Sequence, residues 1–405
     1  MESISRTTEI PIWRDSRAVA LLMAATLTVM ANATISPALP GLRKLFADAP
    51  HAALLTPLLI TAPSLSVALL APLAGLAVDR IGRRIPLLAG IILFAIAGSA
   101  GLYLPTLSTI FMSRIVLGVA VAFIMTAQTA LIGDYFSGEA RNALTGLQIS
   151  ARNFGGLIFI LLAGLVAIVS PRSAFGVYGL ALLVLPIAWM VIKEPQRKPS
   201  MSHVSYLTGS AEQRKWNLPF LGLVVLQSVT NMFFFIMPTQ LPFFLDARGY
   251  GNPAITGLTL SVLMLSGGSV ALVFSRIQRA IGYPGIYAAG FAAMASGFLL
   301  LVTSATPLFT LAGSALIGAG YAAVSPTFVA LTLALAPPHR RGLAGGLLTA
   351  SVFTGQFISP LLSTLVIIAL GYEGLFQVAA VLLASMAAMA LGIFLLRFRE
   401  PRSSR

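Results

Sequence analysis

Gly75-Leu76-Ala77-Val78-Asp79-Arg80-Ile81-Gly82-Arg83-Arg84 is a polar stretch between two apolar runs, at 53–77 and 86–104. Its two glycines permit a turn or a close backbone approach. Each flanking run has the roughly 20 residues that cross the hydrocarbon core of a bilayer as a helix, so the stretch reads as a tight loop at a membrane face. Working outward from it gives twelve such runs: 18–39, 53–77, 86–104, 107–132, 143–169, 174–193, 218–245, 254–274, 285–304, 307–334, 343–369 and 373–396. Lipid offers the backbone no hydrogen-bond partner, which requires helices, and the alternating ten-residue strands of a barrel are absent. The fold class is therefore an all-α polytopic membrane protein with 12 transmembrane helices.

Composition agrees. Only 9% of the residues are charged and the mean hydropathy is +0.91, whereas a soluble domain carries about 25% charged residues. The net charge of +14 does not point to nucleic acid, because the basic residues are scattered between apolar runs. Zero cysteines exclude disulfides and thiol chemistry. His51, His203 and His339 fall in predicted loops, so neither a metal centre nor another cofactor is expected. The first apolar run is long enough to remain as a membrane helix, so a cleaved signal peptide is not expected.

Lysine and arginine placement sets the orientation. With the N-terminus inside, 20 of the 26 basic residues fall on the cytoplasmic side, including Arg80, Arg83 and Arg84. Only Arg43, Lys44, Arg172 and Arg248 fall outside. Both termini are expected in the cytoplasm, and the compact chain suits a plasma membrane, specifically a bacterial inner membrane. Trp13, Trp189 and Trp216 lie near predicted cytoplasmic helix ends, where indoles anchor.

The longest connection, 194–217, divides the spans six and six. The halves echo each other. Ala140-Arg141-Asn142-Ala143-Leu144-Thr145-Gly146-Leu147 aligns with Arg340-Arg341-Gly342-Leu343-Ala344-Gly345-Gly346-Leu347, offset by 200 positions, and Leu39-Pro40 matches Leu241-Pro242. The expected organisation is a six-helix bundle over 1–193, a cytoplasmic linker over 194–217 and a second, pseudo-symmetric six-helix bundle over 218–405. Such repeats place a binding site near the midplane between the halves and allow alternating access.

The loop at 75–84, in its place between the second and third spans, closely resembles the signature loop of the major facilitator superfamily, and residues 18–397 as a whole look like that family. The resemblance implies a cytoplasmic conformational lock made of Gly75, Asp79, Arg80, Gly82, Arg83, Arg84 and Asp134. In it, Gly75 would let the second span pack tightly on the eleventh. Asp79 would face the start of the eleventh span near Gly342–Gly346, where the helix dipole favours a carboxylate. Arg83 would pair with Asp134 at the end of the fourth span. A worn copy, Ser275-Arg276-Ile277-Gln278-Arg279-Ala280-Ile281-Gly282, lacks the acid. Arg114-Ile115-Val116-Leu117-Gly118 resembles the fourth-helix arginine motif of drug–proton antiporters in this superfamily, and Asn32 to Pro40 is similar to the end of their first helix. Their fifth-helix G-P-x-x-G-G is not matched: Phe159 to Gly164 stands there.

Two arginines fall inside spans. Arg114 sits ~10 Å below the outer surface and Arg152 ~15 Å above the inner one, at 1.5 Å per residue. Intramembrane arginines face a cavity or a partner. Gln148, Arg152 and Gly156 share a helix face, with Asn153 beside it. No carboxylate lies at mid-depth. Thr28, Asn32 and Ser36 form a polar stripe on the first span, Gln227 and Asn231 another on the seventh, and Gln356 lies on the eleventh. The candidate substrate and proton pathway is thus Arg114, Arg152, Asn153, Gln148, Asn32, Gln227, Asn231 and Gln356. Each of these residues also has a structural reading, as a hydrogen-bonding contact between helices.

The leading functional expectation is secondary active export of small amphipathic or partly anionic organic compounds, as in drug efflux, with protons as the coupling ion. The chain is expected to act as a monomer in the lipid bilayer. The alternative is uptake or exchange of a specific organic anion held by Arg114 and Arg152. The chain has no G-x-x-x-x-G-K loop and no H-E-x-x-H motif, so an enzyme is not expected.

Overall fold

The structure is a computed structural model that describes residues 14–195, 213–303, 306–337 and 340–399. Among these residues there are helices and no strands. The first span is α1 (Ser16–Ala33), continued through a short 3-10 turn at Ser36–Ala38 into α2 (Leu39–Leu45). Then follow α3 (Ala52–Ile81), α4 (Arg84–Ser99), α5 (Leu107–Tyr135) and α6 (Gly138–Val166). The sixth span opens as a 3-10 helix, Pro171–Leu180, and ends as α7 (Ala181–Val191). The second half comprises α8 (Gln213–Ala247), α9 (Pro253–Thr303), α10 (Pro307–Leu335) and α11 (Arg341–Arg399).

Among the described residues, ten segments are long and apolar enough to cross a membrane. Two of them are each two spans. α9 has 51 residues and α11 has 59, far beyond the ~30 Å hydrocarbon core at 1.5 Å per residue. Each is bent at a glycine with left-handed φ, Gly282 at 62° and Gly371 at 72°. The twelve expected spans are therefore present. Gly282 is also the counterpart of Gly82 (φ 108°) at the offset of 200, so the worn copy of the loop retains its turn even though it has lost its acid.

The duplication is written in backbone contacts. A Cβ placed on Gly90 would lie 3.2 Å from the Ala120 carbonyl oxygen, and one on Gly290 would lie 3.0 Å from that of Gly320. A Cβ on Gly118 would lie 2.6 Å from Ser66 Cβ, and one on Gly318 would lie 2.6 Å from Ser266 Oγ. Every one of these pairs repeats at 200 positions, so both halves use the same small-residue crossings, as membrane helices pack. Gly318→Val is therefore expected to force α9 and α10 apart, at a cost of about 1–3 kcal/mol or more. The check is a fluorescence size-exclusion profile and melting temperature in detergent. Gly345→Val, whose Cβ meets nothing within 4 Å, should melt like the parent.

The division at 193 and 218 stays a proposal, and most of the expected linker lies outside the described residues.

The opening of the sixth span departs from the expected regular helix, and its 3-10 winding has a packing consequence. Side chains three apart eclipse in a 3-10 helix, so Phe175 and Tyr178 stand in one row. That row seats on Gly101 and Gly98 of the third span, which are also three apart; Cβ atoms there would lie 2.5 Å from a Phe175 ring carbon and 2.6 Å from Tyr178 Cβ.

Candidate functional site

At the basic end of the bundle, Arg83 Nε donates to Asp134 Oδ2 at 3.0 Å, the pair expected from the loop. Asp79 lies 3.9 Å from Arg83, one helical turn before it. The remaining bonds of the loop were not foreseen. The Glu194 carboxylate accepts from the backbone N–H groups of Arg83 (2.7 Å) and Arg84 (2.8 Å), and so caps the start of α4, where backbone donors lack intrahelical partners. Gly82 must be glycine on two counts: its φ is 108°, and a Cβ would stand 2.8 Å from the Glu194 carboxyl. Arg84 donates to the Trp189 carbonyl at 2.8 Å and lies over its ring. Tyr135 accepts from the Lys193 N–H at 3.0 Å. These bonds join the loop to the ends of the fourth and sixth spans, all within the first half. Arg80 is exposed.

Two expectations for the loop fail in this state. Gly75 does not abut the eleventh span; the nearest atom to a Cβ there is Thr126 Cγ2 of α5, at 4.0 Å. Asp79 is 72% exposed, and Gly345 and Gly346, two of the glycines it was expected to face, have nothing within 4 Å of a Cβ. The physical reason is that the halves are apart here. Gly146 and Gly222, near the same end, also face open space.

At the opposite end the halves meet. Lys44 Nζ bonds Asp246 Oδ1 at 2.8 Å. The Arg43 guanidinium lies 4.5 Å from the Phe243 ring centroid, and Ser36 Oγ donates to the Pro238 carbonyl. One layer deeper, Gln356 Oε1 on α11 accepts from Asn32 Nδ2 (3.2 Å) and Ser64 Oγ (2.8 Å). Lys44–Asp246 is a partly exposed pair, worth about 0–1 kcal/mol. Asp246→Asn is therefore expected to raise labelling of Val352→Cys from this face by up to ~5-fold, against a background with no native cysteine. The double swap Lys44→Asp with Asp246→Lys should restore protection. Unaltered labelling in the single variant would show that the pair closes nothing.

Beneath that closure lies a cavity of about 370 Å³, lined from both halves. Its wall is mainly apolar and aromatic, with Val29, Met125, Phe234, Phe235, Met264 and Phe353. The polar lining includes Thr28, Asn32, Asn153, Tyr321, Ser325, Thr349 and Gln356. Phe234 and Tyr321 stack at 3.9 Å with an 18° interplanar angle, and Tyr321 donates its hydroxyl proton to Asn231 Oδ1 at 2.8 Å. Arg152 is the one charged residue in the lining. Its Nε is buried without a partner, as is Asn32 Oδ1.

Four of the eight sequence candidates therefore line the cavity: Arg152, Asn153, Asn32 and Gln356. Asn231 acts through Tyr321. Gln148 and Gln227 are buried but outside the lining. Arg114 is a correction. It is fully buried within the first half, with its guanidinium between the rings of Phe175 (5.0 Å) and Tyr178 (4.6 Å) and Nη2 donating to the Ala97 and Gly98 carbonyls. Similar depth left a shared site open to the two arginines, but Arg114 lies against the third and sixth spans. The expected two-arginine clamp is not formed. Tyr321 escaped notice because a lone hydroxyl in an apolar run carries no charge signal.

The family model described as Major Facilitator Superfamily matches residues 21–295 and 276–405. Among curated proteins, "Multidrug resistance protein 1" of Bacillus subtilis (strain 168) is 30% identical over 137 residues. That match takes in 34% of this chain and only 35% of that protein's length. An uncharacterized MFS-type transporter of Burkholderia pseudomallei (strain 1106a) is 26% identical over 346 residues, covering 80% of this chain and 79% of its own. In shape the chain is similar to a D-xylose-proton symporter (TM-score 0.76, 18% identity, covering 93% of this chain and 96% of that one). It is also similar to a peptide transporter, POT (TM-score 0.74, 14% identity, 93% of each chain).

Proposed function

We propose that this chain, which belongs to the major facilitator superfamily, moves small amphipathic organic acids across a bacterial plasma membrane by alternating access, with export as the direction. The observation that carries the reading is the cavity itself. It has an apolar, aromatic wall with a single unpaired guanidinium and no carboxylate. Apolar walls with few placed polar groups are the usual form of small-molecule sites, and a guanidinium aimed into one favours a carboxylate or similar acceptor. Export follows the multidrug-resistance relative. Proton-driven efflux, the leading sequence expectation, needs a titratable group on the path. The lining offers none of the usual kind, which favours the organic-anion reading, with Arg152 alone in place of the two-arginine clamp.

By the positive-inside rule the basic end is cytoplasmic, so the conformer described here is open to the cytoplasm and closed by Lys44–Asp246 outside. The loop lock at 75–84 then belongs to the opposite, outward-open conformer, where Gly75 and Asp79 reach the eleventh span. The reading is tested by melting curves and flux in proteoliposomes with matched pairs of aromatic acids and their neutral amides. Acids should stabilise and be carried, and the amides should not. Equal stabilisation by acids, amides and lipophilic cations would replace this reading with unselective drug efflux.

A further inference from the structure

The energetics of Arg152 constrain how the carrier turns over, given the reading that its cavity binds an organic acid. A guanidinium does not release its proton in a protein. Its charge therefore stays when the cavity is closed at both ends and water is displaced, and an uncompensated charge in that setting is strongly disfavoured. Among the described residues none offers it a counter-charge. Arg152 makes no described hydrogen bond or ion pair, and no acid lines the cavity. Glu139, the acid on its own helix, lies in the first turn of α6; it stands 13 residues, ~20 Å, away. Asp134 lies nine residues, ~13 Å, beyond the cavity residue Met125. The other described acids, Asp15, Asp48, Asp79, Glu194, Asp246 and Glu373, lie in loops, near helix ends or beside the Gly371 bend.

We propose that the chain is an obligate exchanger of organic monoanions, in which the cargo's own carboxylate supplies the counter-charge that lets the central cavity close. The loaded cavity is neutral and can be occluded from either side. The empty cavity holds one bare charge, and the carrier stalls until a second anion enters. One monoanion out for one in moves no net charge and no proton.

The test uses the full chain in liposomes with labelled 1-naphthoate, a flat acid that fits the Phe234–Tyr321 wall. Vesicles preloaded with unlabelled 1-naphthoate are compared with vesicles holding gluconate. Preloading is expected to raise the initial uptake rate at least about tenfold, and the rate should not respond to valinomycin or nigericin. Arg152→Gln, checked for its melting temperature, should lose the stimulation. Two results would overturn exchange while leaving the anion site standing: equal rates with and without preload, or uptake into gluconate vesicles that nigericin abolishes. Stimulation that survives in Arg152→Gln would overturn the proposal that neutralisation of Arg152 gates the closure. Uptake no greater than in protein-free vesicles would overturn both the exchange and the organic-acid reading.

Discussion

Arg152→Gln is expected to lower the affinity for aromatic acids roughly 30-fold or more, because losing one partner of a desolvated charge pair costs about 2–5 kcal/mol. The effect is selective. Glutamine retains donors and length, so the neutral amide of the same acid should bind the variant and the parent to within a few-fold. The native site already holds the guanidinium with its Nε unpartnered, so removing it breaks no described bond and folding should survive. Arg152→Lys separates charge from shape: a compact ammonium keeps the attraction and loses the planar fork, which predicts intermediate affinity. Tryptophan quenching or calorimetry on detergent-solubilised protein measures all three. Equal loss for acid and amide would mean that Arg152 shapes the cavity and does not recognise charge.

Arg114→Ala is expected to do the reverse, costing about 2–5 kcal/mol of stability through the lost ring contacts and the cavity left behind, with little change in the affinity of the protein that folds. Each ring face against the guanidinium contributes up to about 2 kcal/mol when desolvated. The Nη2 donor also satisfies carbonyls of Ala97 and Gly98 at the point where α4 passes into its final turn. Alanine would leave a hole between Phe175 and Tyr178 as well. The expected readout is a much lower melting temperature and yield. Arg114→Lys should fall between, since an ammonium does not stack flat between two rings. Normal stability with lost binding would return Arg114 to the transport path and undo its assignment as a strut.

The two arginines mark the boundary of what one sequence can say. Both were found from charge in apolar runs, and both were placed at workable depths. Depth along a helix follows from counting residues, because the rise is fixed. Direction around the helix axis follows from which neighbour offers the better partner, and that neighbour lies elsewhere in the chain. Arg114 turned to a row of rings made by the 3-10 winding of Pro171–Leu180, which no hydropathy run displays. Glu194 stayed hidden for a related reason. It sits 110 residues after Arg84 and binds backbone N–H groups, which are the same in every sequence.

The family resemblance of the loop implied the Arg83–Asp134 pair. What the chain by itself determined is the twelve spans, their halving, the sidedness expected from its basic residues, and the absence of an acid at mid-depth. These rest on solvation and on local geometry: a bilayer sorts residues by polarity before any tertiary contact forms. Only the tertiary structure decided which end is closed, that Gly75 stands off the eleventh span in this conformer, and that one arginine, not two, faces the cavity. Those are choices among packings of the same helices, made by side chains hundreds of residues apart. The loop at 75–84 carries the sequence of a lock; its described partners now lie within the first half because the opposite end holds the halves together.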